Sequence, residues 1–355
     1  AGLYGANAEF MDGQYIYYDG ALVAGPEEGL ILYQKLGLDG ALLTDYQDYY
    51  YLDADGLTPL PEVASSEWAL GEDCMWYIND EGLWQLSYDG SQPALMDAAA
   101  TDAAGPVCSP SGDAVVYSAY GGQDELELRL CRSGGRVYTV SPWGGVPVAV
   151  SDGGRYVYYL PGGDASTGGN DLTQAMDEQA NLLLWDGDDI RPAAFGQLYA
   201  SFFNWDGTQA AIYTEAGAFL VEGNQVFYQP EMLLPLSYAA LSTGWDELVR
   251  TMGDYCYYLN VEDLTGSLFL HYQSDGSLSL DRWNGGDHME ELVWVWSSVA
   301  QDNSYRLTPA GDAGAWYTQD DGIYYLDRQG RAERILESDR PADELYFIAA
   351  SPEGE

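Results

Sequence analysis

One phrase recurs along this chain and limits what it can fold into: a glycine, a short aromatic and aliphatic run, then a tyrosine five or six residues on. It occurs as Gly13–Tyr18, Gly40–Tyr46, Gly71–Tyr77, Gly112–Tyr117, Gly154–Tyr159, Gly207–Tyr213, Gly253–Tyr258 and Gly311–Tyr317. Runs such as CMWY, AVVY and YVYY are too short and too rich in β-branched and aromatic residues for helices, and they suit strands. A second half follows several of them: a strand closed by a turn pair, as in GLWQLSYDG (82–90), GAFLVEGN (217–224), SLFLHYQSDG (267–276) and GIYYLDRQG (322–330). Glycine supplies the positive φ that such hairpin turns need. Further short strands flank each unit, for example LYASFF (198–203), SQPALM (91–96) and AERILE (332–337). Each unit therefore reads as about four antiparallel strands, and only 236–252 reads as a plausible helix.

The glycine anchors are spaced by 27, 31, 41, 42, 53, 46 and 58 residues. A four-stranded blade takes roughly 30–50 residues, and sheets repeated radially make a β-propeller. A pair of β-sandwiches would not repeat one phrase eight times, and the coils of a β-solenoid are shorter and more uniform. The expected fold is all-β, a β-propeller over 1–355 as one domain, with eight blades, or seven if the first two units share one blade. The first unit is too short for four strands. ELYFIAAS (344–351) is the spare segment that would complete it and close the ring, removing an exposed edge.

SPSGDAVVYS (109–118), SDGGRYVYYL (151–160), NWDGTQAAIYT (204–214) and TPAGDAGAWYT (308–318) resemble the S-P-D-G-x-x-I-A-F phrase of TolB-like and WD-repeat-like bacterial propellers. The resemblance implies that each glycine anchor sits in the turn between a blade's first and second strands. That family is diverse in function, so the resemblance speaks to fold far more than to activity.

Composition excludes several functions. With 13 Lys+Arg against 57 Asp+Glu, the formal net charge is −44. Nucleic-acid binding and docking on anionic lipid both need clustered basic residues, so neither is expected. Apolar residues make up 46% of the chain and aromatics 14%, which is enough for a large core and argues against disorder. No apolar run reaches the ~18–20 residues of a membrane span. The chain begins at Ala1 rather than a methionine, which suggests a removed upstream segment, and its acidity suits an extracytoplasmic protein, secreted or tethered. A monomer is expected.

Catalytic motifs are sparse. There is no G-x-S-x-G nucleophile elbow and no phosphate loop. Cys74, Cys108, Cys131 and Cys256 share no metal spacing and read as buried thiols, with a Cys74–Cys108 disulfide as the alternative. His271 alternates within a strand. His288 stands beside Asp287, Glu290 and Glu291, but two histidines in the whole chain cannot build a multi-histidine site. No cofactor is expected. Asp-rich turns such as 186–189 offer oxygen ligands for a structural calcium ion, although aspartate is common in hairpin turns for its own reasons.

The three longest insertions are 161–181, 230–247 and 284–303, and strand topology assigns all three to the face away from the glycine anchors. That face is the expected ligand site. Its candidate residues are Trp143 in SPWGG, Trp245, Asp171, Asp177 and His288. Trp294 and Trp296 lie beside the third insertion and alternate as on a strand. Exposed aromatics there suit a protein, peptide or glycan ligand. The alternative is a carbohydrate-active hydrolase or lyase using carboxylates in the central funnel.

Overall fold

The computed structural model describes residues 3–7, 14–18, 21–25, 28–36, 40–63, 67–101, 104–121, 126–161, 181–204, 206–230, 232–235, 256–258, 263–272, 278–296, 308–309, 314–319, 322–327 and 331–337. Within them the chain forms eight sheets, antiparallel except for one added edge strand of sheet 6, numbered here in chain order. Sheet 1 pairs Leu3–Asn7, Gln14–Tyr18 and Ala21–Ala24. Sheet 2 pairs Ile31–Leu36, Gly40–Thr44, Tyr49–Asp53 and Gly56–Pro59. Sheet 3 pairs Glu67–Leu70, Cys74–Asn79, Gly82–Ser87 and Ala94–Asp97. Sheet 4 pairs Ala104–Cys108, Ala114–Tyr120, Leu126–Arg132 and Arg136–Ser141. Sheet 5 pairs Val146–Val150, Val157–Leu160, Leu182–Trp185 and Ile190–Ala194.

Sheet 6 pairs Leu198–Phe203, Gln209–Thr214, Gly217–Glu222 and Gln225–Gln229, with Cys256–Tyr258 added on its first-strand edge. Sheet 7 pairs Met232–Pro235, Leu268–Tyr272, Leu278–Trp283 and Met289–Trp296. Sheet 8 pairs Thr308–Pro309, Gly314–Gln319, Gly322–Asp327 and Ala332–Glu337. The chain divides into two compact units, 1–175 with 183–191, and 176–182 with 192–355. Sheets 1–4 and most of sheet 5 belong to the first, sheets 6–8 to the second.

In the first unit, consecutive sheets stack face to face, and the period of two in each second strand explains how. Met75 and Tyr77 point into a cluster with Leu42 and Leu60 of the sheet 2 region, while Trp76 and Ile78 point the other way, onto Val115, Tyr117 and Cys131 of sheet 4. Ala114 and Val116, on the opposite face of sheet 4, meet Val150, Val157 and Tyr159 of sheet 5. With both faces covered, these strands read as continuous apolar runs rather than as alternating ones. In sheets 3, 4 and 5 the tyrosine of the phrase faces the preceding sheet: Tyr77 toward sheet 2, Tyr117 toward sheet 3, Tyr159 toward sheet 4. Burying one such ring removes roughly 150–250 Å² from water, worth about 4–6 kcal/mol.

The glycine of the phrase is explained by the turns. At Gly71 an added Cβ would lie 2.4 Å from the Cα of Gly112 in the next sheet's turn. Gly112 itself has φ +87°, and a Cβ there would come within 2.8 Å of Cys74 Sγ. The two turns thus touch backbone to backbone. Ser109 caps its own turn, its Oγ donating to Asp113 and accepting from the Ala114 N–H. Ser151 and Asn204 accept from Tyr156 and Gln209 in the same way, which accounts for a Ser or Asn three residues before the glycine.

Three expectations change. Gly253–Tyr258 does not open the seventh unit: Cys256–Tyr258 runs parallel to Leu198–Phe203 in sheet 6, and Leu268–Tyr272 is the second strand of sheet 7. Tyr46 does not end a strand; it stands in the turn after Gly40–Thr44. Residues 284–303 are not one long insertion, because Met289–Trp296 pairs with Leu278–Trp283 across a tight turn at 284–288. The segments 236–252 and 344–351 lie outside the described residues.

Gly112→Ala should destabilise the fold by about 2 kcal/mol or more, since it adds positive-φ strain to a clash with Cys74. Urea unfolding measures this. A change under about 0.5 kcal/mol would show that the turn contact has room to spare.

Candidate functional site

Sequential strands place the turns between strands one and two and between three and four at one end of a sheet. The loop between two and three, and the exit to the next sheet, lie at the other. The two ends of the first unit differ sharply in chemistry.

The glycine-anchor end is closed by hydrogen bonds from turn to turn. Glu72 and Asp73 N–H groups donate to the Pro110 and Ser111 carbonyls at 2.8 and 3.1 Å. Trp76 Nε1 donates to the Gly112 carbonyl at 2.7 Å. Ser111 donates through both N and Oγ to Asp152, and Gly153 N–H donates to Asp113. Arg132 reaches the Gly154 carbonyl. Cys74, Cys108 and Cys131 are free and buried here and in the adjoining core, as the sequence suggested. Burial pushes the Cys74 thiol up to about 11 and the Cys131 thiol up to about 12, so both stay protonated and inert. The side chain of Cys256 lies outside the described residues.

At the loop end of the same unit, aromatic rings stand in solvent. Among the described residues, the exposed large aromatics of this unit are Tyr33, Tyr46, Tyr120 and Trp143, and all four lie at this end. Trp143 is 80% exposed, in the exit from sheet 4. Its N–H donates to Ser141 Oγ, and Gly145, whose carbonyl accepts from Ser118, fits so closely under Tyr159 that a Cβ would lie 2.8 Å from the ring. The loop is held firmly while the indole is left free of the core. Tyr33 protrudes at a bulge in its strand and meets Tyr49 and Trp68 edge to face, with centroids 5.6 and 5.8 Å away.

Tyr46 is the most informative. It is 74% exposed and adopts φ 73°, the only non-glycine residue with positive φ among the described residues. That conformation costs an L-residue about 1–2 kcal/mol. The turn compensates with local bonds: Thr44 Oγ1 accepts from the Tyr46 N–H and donates to the Asp48 carbonyl, and Asp45 Oδ1 accepts from Gln47 and Asp48. Those backbone N–H groups, Asp48's first, hold the Asp45 carboxyl below its usual range. A strained, well-bonded turn here displays a ring that contributes nothing to the core.

Of the residues singled out from sequence, Trp143 is found as expected. Trp245, Asp171 and Asp177 lie outside the described residues. His288 is exposed, 3.5 Å from Asp287, but it sits in the turn between the third and fourth strands of sheet 7, the glycine-anchor end of that sheet. It is therefore at the wrong end for the expected site. Trp294 and Trp296 lie on a strand. Asp186 is occupied by its own turn: it accepts from the Asp188 and Asp189 N–H groups and pairs with Arg191. Among the described residues, no three His, Cys, Asp or Glu side chains gather as a metal site.

Sequence reasoning missed Tyr46, because the glycine-to-tyrosine phrase absorbed it. The signal that could have found it is the Thr44-Asp45 pair, whose side chains favour a turn. It also missed a cluster in the second unit: His271 Nδ1 lies 2.6 Å from Asp281 Oδ2, and Ser279 Oγ donates to Asp281 Oδ1 at 2.6 Å. The serine proton goes to the carboxylate rather than to the imidazole, so this is not the geometry that activates a serine nucleophile.

No protein-family model matches the chain, and no curated protein does. The solved structures it resembles are TolB and related β-propeller proteins. TolB from Acinetobacter baumannii has 12% identity over 67% of this chain and 57% of its own, with a TM-score of 0.33. A puromycin-hydrolyzing peptidase from Mycobacterium tuberculosis has 12% identity over 87% of this chain and 53% of its own, at 0.39. The β-propeller domain of the Trilobed protease from Pyrococcus furiosus has 10% identity over 71% and 76%, at 0.34. The chain thus spans little more than half of the first and second of these proteins. The fold assignment rests on the eight sheets themselves.

Tyr46→Gly should leave stability unchanged or raise it, whereas Tyr46→Val should lower it by about 1–2 kcal/mol. Urea unfolding distinguishes them. If the glycine variant loses as much as the valine variant, the ring supports the fold and is not a display.

Proposed function

We propose that this chain is an eight-bladed β-propeller acting outside the cytoplasm as a non-enzymatic binding or scaffold protein, recognising its ligand at the loop end. The supporting observation is the sorting of exposed rings: the first unit's loop end presents Tyr33, Tyr46, Tyr120 and Trp143, while its glycine-anchor end carries the interlocked turns. Rigidly held aromatics offer contact area at low entropic cost, which is what a binding surface needs. The ring is closed in this proposal by 344–351 pairing with the first sheet, which has three strands among the described residues where sheet 2 has four.

Arrays of peptides and glycans, probed with the wild type and with Trp143→Ala, test the binding site. The variant should lose at least tenfold in affinity for whatever the wild type retains. Undiminished binding would move the site elsewhere. Closure is tested separately: truncation after Asp343 should lower the melting temperature well beyond the few tenths of a kcal/mol of an ordinary surface change. An unchanged transition would remove the closing strand from the proposal.

A further inference from the structure

The first unit contains six Lys and Arg residues in all, Lys35, Arg129, Arg132, Arg136, Arg155 and Arg191, and their positions along the strands are lopsided. Lys35 pairs in register with Ala41 beside the glycine anchor of its sheet. Arg132 pairs with Arg136 across the turn between strands three and four of sheet 4. Arg155 follows the Gly154 anchor, and Arg191 is the second residue of a fourth strand. All five therefore belong to the glycine-anchor half.

The remaining cation, Arg129, stands at the middle of its strand, and its charge is already paired. Its Nε donates to Glu127 at 3.0 Å and its NH1 lies 3.6 Å from Asp97. The loop end carries exposed carboxylates in its strand-two-to-three turns: Asp48 beside Tyr46 in sheet 2, and Asp80 and Glu81 in sheet 3. Exposed rings and unpaired acids thus share one end, within a chain of net charge −44.

A face of aromatic rings and carboxylates without a free cation suits one kind of partner. A lysine ammonium or arginine guanidinium gains from the ring face and from the acid at once. The negative field of the chain speeds the approach of such a partner and repels acidic ones. A neutral sugar would use the rings but would leave the acids without a role.

Building on the loop-end binding site proposed above, we infer that its partner is an extended, lysine- or arginine-rich segment of another protein. The cationic side chains lie against Tyr46 and Trp143 and pair with Asp48, Asp80 and Glu81.

Calorimetric titration with an oligo-arginine peptide, and in parallel with a neutral oligosaccharide, tests this on the full chain. One variant removes the rings, Tyr46→Gly with Trp143→Ala. A second removes loop-end charge, Asp48→Asn, Asp80→Asn and Glu81→Gln. A third removes the same charge from exposed turns at the other end, Asp55→Asn, Asp188→Asn and Asp189→Asn. The expected result is at least a tenfold loss of peptide affinity in the first two variants and less than a twofold loss in the third. Equal losses from the second and third variants would show a general attraction to an acidic chain and overturn the inference. Undiminished binding by the ring variant, or no binding of the peptide at all, would overturn it too. If the oligosaccharide alone binds and the ring variant abolishes it, the cationic partner is wrong while the loop-end site stands.

Discussion

The backbone contact between the glycine-anchor turns of sheets 3 and 4 sets how those two sheets meet. Gly71 and Gly112 approach so closely that neither tolerates a side chain, and this contact fixes where the second strand of one sheet lies against that of the next. Given that spacing, Trp76 can bury its ring between the sheets and still donate to the Gly112 carbonyl. Each hydrogen bond of this kind contributes only about 1 kcal/mol net, whereas each buried ring is worth several times more. The turns therefore do not supply most of the stability. They set the register in which the aromatic stacking supplies it.

This division leaves the opposite end of the unit free for other uses. Propagating contacts from sheet to sheet requires every turn at one end to match its neighbours, so a change there disturbs two sheets at once. The loops between second and third strands, and the exits to the next sheet, meet no such demand. They can hold a tyrosine in a left-handed conformation, or a tryptophan 80% in solvent, without disturbing the stack. Local hydrogen bonds from Thr44, Asp45 and Ser141 are sufficient to fix these loops.

Charge follows the same partition. Arg132 serves the interlocked end directly, binding the Gly154 carbonyl of the next sheet. Arg129 is spent inside a small network in which Asp97 also accepts the hydroxyl proton of the buried Tyr117 at 2.6 Å. Burial, that hydrogen bond and the Asp97 charge together push the Tyr117 hydroxyl far above its usual range, so it remains a donor. In this unit Arg132 and Arg129 join neighbouring sheets, and the loop end is left with its acids.

The sequence by itself determined the all-β class and most strand positions. Short runs rich in β-branched and aromatic residues, set between glycine turns, suit strands and not helices. LYASFF and AERILE fall on the strands Leu198–Phe203 and Ala332–Glu337. What the pattern could not carry is the identity of a strand's partner. Cys256–Tyr258 is recognisable as a strand from its residues, but whether it opens sheet 7 or lines the edge of sheet 6 depends on which edge is vacant, a property of the assembled chain. The same holds for His288, since only the pairing of Met289–Trp296 reveals which end of the sheet its turn occupies. It holds for Tyr46 as well, whose ring was legible as an aromatic in a phrase but not as one held out of the core. Alternation encodes which side of a strand is buried; only tertiary pairing decides which edges meet and which rings are left without a core to enter.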